Sequence, residues 1–181
     1  DIPSWAESSL KSFFLSAPIS SEYDFFQNGK KVVLIFPGSV WATKRWTLQG
    51  FRELAIELEN NNYQVCWMGS SIEKVLCEEL NKNLKTGIVL AGQTSIFETC
   101  WIMARSDLVI GNDSSSSHMA SLTDTPVIAI FGPTVLDFGY RPWSNNAYIA
   151  EAELFCRPCG PHGHMECPRQ THDCMKLVTT A

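Results

Sequence analysis

Apolar and polar positions follow two different periods along the chain. Five short runs, Val32–Phe36, Gln64–Met68, Gly87–Leu90, Asp107–Ile110 and Pro126–Phe131, are dominated by apolar residues and bounded by polar or glycine-containing segments. That pattern predicts strands. Helical periods lie between them. Thr47 to Asn60 carries Phe51, Leu54, Ala55 and Leu58 at i, i+3, i+4 and i+7 and runs into Asn60-Asn61-Asn62. Ile72–Leu84 predicts a second helix with Ile72, Val75, Leu76 and Leu80 on its core face. Ser95-Ile96-Phe97-Glu98 is an S-x-x-E capping box that opens a helix through Ala104. Ser114–Leu122 predicts a short helix. The connections are too long for hairpins, so the alternation predicts an α/β fold: a parallel sheet with helices on both faces. Upstream, Ile2, Trp5, Ala6, Leu10, Phe13 and Phe14 recur at near-helical spacing to Ser16, and a polar segment, Ser20 to Lys31, follows. Residues 1–31 therefore read as an arm and residues 32–181 as the domain. From Gly132 onward the pattern fades into Pro, Gly, His and Cys, and no element is predicted there.

Composition narrows the function classes. A chain of 181 residues fits one domain with a leading arm. A hydrophobic share of 45% is enough to build a packed core, which excludes disorder. The longest aliphatic–aromatic runs, Val32–Phe36 and Val127–Phe131, fall far short of the roughly 20 residues of a spanning helix. A net charge of −5 without a basic block argues against nucleic acid as a partner. Seven cysteines, an odd number, with no basic and apolar leader before them, predict a reducing, cytoplasmic setting.

A parallel sheet of this kind places its ligand outside the carboxyl ends of the strands. Those ends carry Pro37-Gly38-Ser39 to Lys44-Arg45, Gly69 to Glu73, Ala91 to Ser95, Gly111-Asn112-Asp113 with four serines and His118, and Gly132-Pro133-Thr134. Glycine and hydroxyl side chains crowd one edge, which predicts the site. Asn112 to His118 is its most informative stretch. Free N–H groups at a helix start, aided by the serine hydroxyls, suit an anion, and Asp113 suits sugar hydroxyls beside it. Asp113 or Ser114 would serve equally as an ordinary N-cap. Lys44 could neutralise a diphosphate, or be a solvated surface cation; Glu73 could accept from a ribose, or be a first-turn acid favoured by the helix dipole. His118 could donate to an anion or be structural. No G-x-S-x-G, P-loop or G-x-G-x-x-G occurs, so no local pattern supports covalent catalysis. Near the end, Cys156, Cys159, Cys167 and Cys174 form C-x2-C-x7-C-x6-C with His162, His164 and His172 interleaved. Such a set can wrap a zinc or iron as a fold staple with no open catalytic position, or can remain as thiols or form disulfides.

Together the stretches PGSVWATKRWT (37–47), GQTSIFE (92–98), DLVIGNDSSSSHMASLTDTPVIAIFGPT (107–134) and CRPC…CP…HDCM (156–175) resemble glycosyltransferase family 9, the ADP-heptose:lipopolysaccharide heptosyltransferases. The resemblance covers most of residues 32–175 and implies the C-terminal, Rossmann-like half of a GT-B fold, with residues 1–31 as the connector. It implies that Ser39 and Lys44 contact the diphosphate of an ADP-sugar donor and that Glu73 holds the ribose. Thr94 would line the adenosine pocket and Asp113 bind sugar hydroxyls. The N–H groups of Ser114, Ser115 and Ser116, with His118 nearby, would take the phosphates. It also implies inverting transfer of heptose to the lipopolysaccharide inner core without a catalytic metal. The acceptor contacts and the general base belong to the family's N-terminal domain, which has no counterpart in this sequence, so this chain alone is expected to be inactive. The full-length parent is expected in the cytoplasm, peripherally at the inner face of the inner membrane. Ser115 stands where the family usually has glycine, and the helix that usually follows the HDCM region is missing. Two alternatives stay open: a non-catalytic, degenerate GT-B half that serves as a binding module, and a GT-B enzyme for another nucleotide-sugar.

Overall fold

The computed structural model describes residues 10–18 and 21–180. A six-stranded, all-parallel sheet runs in the order β3-β2-β1-β4-β5-β6. Its strands are β1 (Val32–Phe36), β2 (Gln64–Trp67), β3 (Ile88–Val89), β4 (Leu108–Asn112), β5 (Val127–Phe131) and β6 (Ala147–Glu151). The helices are α1 (Lys11–Ser16), α2 (Leu48–Asn60), α3 (Lys74–Asn81), α4 (Ile96–Arg105), α5 (Ser115–Leu122) and α6 (Asp173–Lys176). Every residue of β1 is buried, as a central strand covered on both faces must be. Its side chains divide with period two. Val32, Leu34 and Phe36 join a core with Trp101, Met103 and Ala120, while Val33 and Ile35 join a second core with Phe51, Trp67 and Leu80. Helices α4 and α5 cover one face and α2 and α3 the other, so the strand order reverses direction between β1 and β4. A crevice opens at that switch point.

Two expectations change. The second helix is shorter than Ile72–Leu84, and its apolar face is different. Ser70 and Glu73 form a capping box that starts a 3-10 turn, Ser71–Glu73, before α3 begins. The tighter turn shifts the helical phase, so Ile72 (88% exposed) and Val75 (75%) point outward. Cys77 and Leu80 form the buried face, with Leu76 and Leu84 packed at its margin. The second change is β6, for which no element was expected. It pairs with β5 from Val127↔Ala147 to Phe131↔Glu151. An edge strand with only partial burial carries no continuous apolar run, so its signal is weak.

The leading segment is packed. Of the helix expected to end at Ser16, the part before Leu10 lies outside the described residues. Phe14, Tyr23 and Phe25 are buried in the α4-side core. The Arg105 guanidinium donates to the carbonyls of Phe14 (2.8 Å), Leu15 (3.0 Å) and Ala17 (2.7 Å) and lies 3.9 Å from the Trp101 ring centroid. At the other end, the cysteine-rich tail is held to β5. Arg157 donates to the carbonyls of Gly132, Thr134 and Ala152, and to Glu151. No helix among the described residues is long and apolar enough to cross a membrane.

Candidate functional site

The crevice between the β1 and β4 ends holds a cavity of about 550 Å³. Eight of the nine residues expected to bind the donor line it: Ser39, Lys44, Glu73, Thr94, Asp113, Ser114, Ser115 and Ser116. His118 is exposed on α5 and is not among the lining residues.

At its centre Lys44 Nζ donates to Asp113 Oδ2 over 2.6 Å, and both residues are buried. Thr134, from the loop after β5, donates to the same oxygen over 2.6 Å. Asp113 thus retains Oδ1 for a ligand, and Lys44, with three N–H donors, retains two. The neighbouring Asn112 fixes the loop that carries Lys44. Its Oδ1 accepts from Trp46 N (2.8 Å), and its Nδ2 donates to the carbonyls of Pro37 (2.9 Å) and Gly38 (3.1 Å). Sequence reasoning placed Thr134 and Asn112 on this edge but gave neither a role. Both stand at strand ends, which is the signal that marked the others.

Strand β4 passes into α5 through Ser114, which is extended and gives no side-chain cap. Its hydroxyl instead pairs with the Ser116 hydroxyl (2.9 Å), so the cavity faces a helix start with N–H groups left for an anion. On the β2 side, Glu73 accepts from Ser70 N (2.8 Å). Gly38 faces it, and a Cβ there would collide with the Glu73 side chain. Glycine at position 38 thus leaves room for Glu73 in the position it takes here, and a side chain there would make it shift. Thr94 pairs through its hydroxyl with Thr99 (2.9 Å), and Met68, Ile96 and Met119 supply an apolar wall at this end.

The tail reaches the site from behind. Thr43 N and Oγ1 both donate to the His164 carbonyl (3.0 and 2.8 Å), His164 N donates to Thr43 Oγ1 (2.8 Å), and the His172 ring lies 2.8 Å from the Thr43 carbonyl. Its four cysteines are free thiols. Burial pushes the Cys174 thiol up to about 11, and the neighbouring Cys159 and Cys167 add to the rise. Cys167 goes the other way. Burial alone would raise it, but the backbone N–H groups of His172, Arg169, Thr171 and Gln170 turn toward its sulfur and together hold it below the ordinary thiol value. The donor chemistry thus suits a soft metal, one ligand being already inclined to thiolate. Convergence is lacking: among the described residues no three His, Cys, Asp or Glu side chains come together as a set able to hold a metal ion.

The sequence model of glycosyltransferase family 9 (heptosyltransferase) matches residues 8–171. The chain is 31% identical over 179 residues to lipooligosaccharide heptosyltransferase 2 of Campylobacter jejuni, covering 93% of this chain and 55% of that protein. Its fold matches the E. coli ADP-heptose lipopolysaccharide heptosyltransferase II (TM-score 0.66, 22% identity), covering 98% of this chain and 52% of that one. It also matches E. coli heptosyltransferase WaaC with ADP-2-deoxy-2-fluoro heptose (TM-score 0.67, 18% identity), covering 94% and 47%. The chain spans about half the length of these proteins.

Proposed function

The chain belongs to glycosyltransferase family 9, and on that premise we propose that it is the donor half of a heptosyltransferase, binding the ADP-sugar while a partner domain presents the lipopolysaccharide-core acceptor. The observation that carries the reading is the buried Lys44–Asp113 pair beside the uncapped start of α5. A buried cation and a helix N-terminus facing one cavity match a dianionic diphosphate, and the carboxylate between them matches sugar hydroxyls.

In this reading the diphosphate lies on the N–H groups of Ser114 to Ser116, with Ser39 beside it. Lys44 bridges: one N–H stays on Asp113 and the other two turn to phosphate oxygens. Glu73 accepts from the ribose, and the base lies between Thr94 and the apolar wall of Met68, Ile96 and Met119. Transfer is inverting. The acceptor hydroxyl, deprotonated by a base outside this stretch, attacks the anomeric carbon as the bond to the ADP oxygen breaks, and ADP leaves with that electron pair. The share of this half is electrostatic, because Lys44 and the α5 N–H groups face the oxygens on which charge accumulates. Alone it would not turn over, since the acceptor must be held in line. The odd number of cysteines supports a reducing, cytoplasmic setting, and the acceptor chemistry supports action at the inner face of the inner membrane.

Calorimetric titration with ADP and UDP tests the reading. ADP is expected to bind, UDP at least tenfold more weakly, and Glu73→Gln and Lys44→Ala to weaken ADP about fivefold and more than tenfold respectively. No ADP binding at millimolar concentration would remove the reading.

For the tail, we propose that Cys156, Cys159, Cys167 and Cys174 draw together around a structural zinc or iron that takes no part in transfer. The support is the donor chemistry, and the proposal requires the sulfurs to move. About one metal per chain is expected by elemental analysis of the purified protein; a trace amount would sink the idea.

A further inference from the structure

Trp41 lines the cavity, and two further aromatic rings, Tyr140 and His162, cluster with it beside Lys44; none of the proposed nucleotide contacts uses them. Trp41 comes from the loop after β1, Tyr140 from the loop after β5 and His162 from the cysteine-rich tail. The Trp41 and His162 rings are parallel within 8° with centroids 6.4 Å apart. Tyr140 Oη lies 3.0 Å from His162 Nδ1, and the two rings are 5.9 Å apart. The Tyr140 ring also lies 4.9 Å from Lys44 Nζ, the atom that holds Asp113. Trp41 is 37% exposed, His162 is exposed and Tyr140 is half-buried.

Single exposed aromatics are ordinary. Here three segments distant in sequence are linked ring to ring, yet the rings stay open to solvent instead of entering either core. The Tyr140 ring lies beside the cation that holds a buried carboxylate, and that carboxylate retains an oxygen. The combination suits a ligand that is apolar on one face and hydroxylated around its rim. A pyranose has that character: its axial C–H groups pack on an aromatic face while its hydroxyls reach polar groups at the edge.

Position agrees with chemistry. Across the carboxyl edge of the sheet, Thr94 and Glu73 follow β3 and β2, Lys44 follows β1, Asp113 follows β4 and Tyr140 follows β5. A nucleotide-sugar with its diphosphate at the switch point and its nucleoside toward β3 must extend its sugar toward β5. We propose that Trp41, Tyr140 and His162 form a platform for the sugar ring of the donor, on which the hexose-like face stacks while Asp113 Oδ1 takes its hydroxyls. The inference rests on the nucleotide-sugar reading and deepens it. It makes the tail part of the binding site.

The test separates the two ligands. Wild type, Trp41→Ala, His162→Ala and His162→Phe are each titrated with ADP and with ADP-heptose. Trp41→Ala and His162→Ala are expected to weaken ADP-heptose about tenfold while ADP stays within about twofold, and His162→Phe, which keeps a ring, to recover most of the loss. A general disturbance of the loop or tail would move both ligands together, so equal losses overturn the platform, as does unchanged ADP-heptose binding. If wild type binds ADP and the variants do not separate the ligands, the platform alone falls. If wild type binds neither ligand, the nucleotide-sugar reading falls and the platform with it.

Discussion

Lys44 and Asp113 are buried together, and removing either partner leaves the other charge without compensation. Such a loss typically costs about 3–5 kcal/mol. Lys44→Ala should therefore lower the melting temperature as well as ADP affinity, whereas Glu73→Gln, at a half-buried position, should lower affinity with little change in melting. Thermal melts run beside the titrations check this. Ser115 lines the cavity and is exposed, so its side chain occupies space that glycine would leave to a phosphate. Ser115→Gly is expected to tighten ADP about threefold, and an unchanged affinity would end the steric argument. In protein stripped of metal by a chelator, Cys167, whose pKa four backbone N–H groups lower, should alkylate first. Cys66 and Cys77, pushed up to about 12 chiefly by burial, should react only on unfolding; mass mapping after brief iodoacetamide treatment shows the order. Much at this scale was legible in the sequence, because a strand end followed by a polar residue is a local pattern. The role of Thr134 was not, since it consists of one hydrogen bond to an acid 21 positions away.

Among the elements, α4 was read nearly residue for residue from its capping box, and the structure shows the reciprocal bonds of Ser95 and Glu98. Hydrogen bonds from the Ser95 hydroxyl and backbone N–H hold the Glu98 carboxyl below its ordinary value. A depressed carboxyl contributes stability that is present above its unfolded value, near 4.3, and is lost as pH falls through the folded one. Melting temperature should accordingly drop below about pH 4, and Glu98→Gln should flatten part of that drop. If the variant followed wild type throughout, the cap would not be a source of acid sensitivity. Helix α3 shows where pattern reading fails. Ile72 and Val75 fit a helical face only if the helix starts at residue 72, and a single 3-10 turn rotates both into solvent. Strand β6 escaped notice for a different reason, since pairing with β5 defines it more than its own residues do.

At the scale of the molecule, alternation of periods was enough to specify a parallel sheet, because long connections exclude the antiparallel alternative. The docking of the tail was not legible, because it depends on bonds between segments far apart in sequence. Thr43 does not line the cavity, yet it is joined to His164 by three hydrogen bonds and sits next to Lys44. Thr43→Val should weaken ADP about threefold and accelerate amide exchange in residues 41–45 without altering exchange in β1. Unchanged exchange there would mean that the tail does not brace the loop.

That brace has a consequence for how the protein is made. Residues 43 and 164 are separated by 121 positions. When translation has reached the end of β6, all six strands and every residue lining the cavity have been synthesised, but the segment that fastens Thr43 has not. A nascent chain at that length can complete its sheet while the turn bearing Lys44 is still unfastened, and the aromatic border still lacks His162. The strands and the cavity lining are therefore in hand before the contacts that brace the loop bearing Lys44, and a chain cut between β6 and His164 would carry every lining residue without that brace.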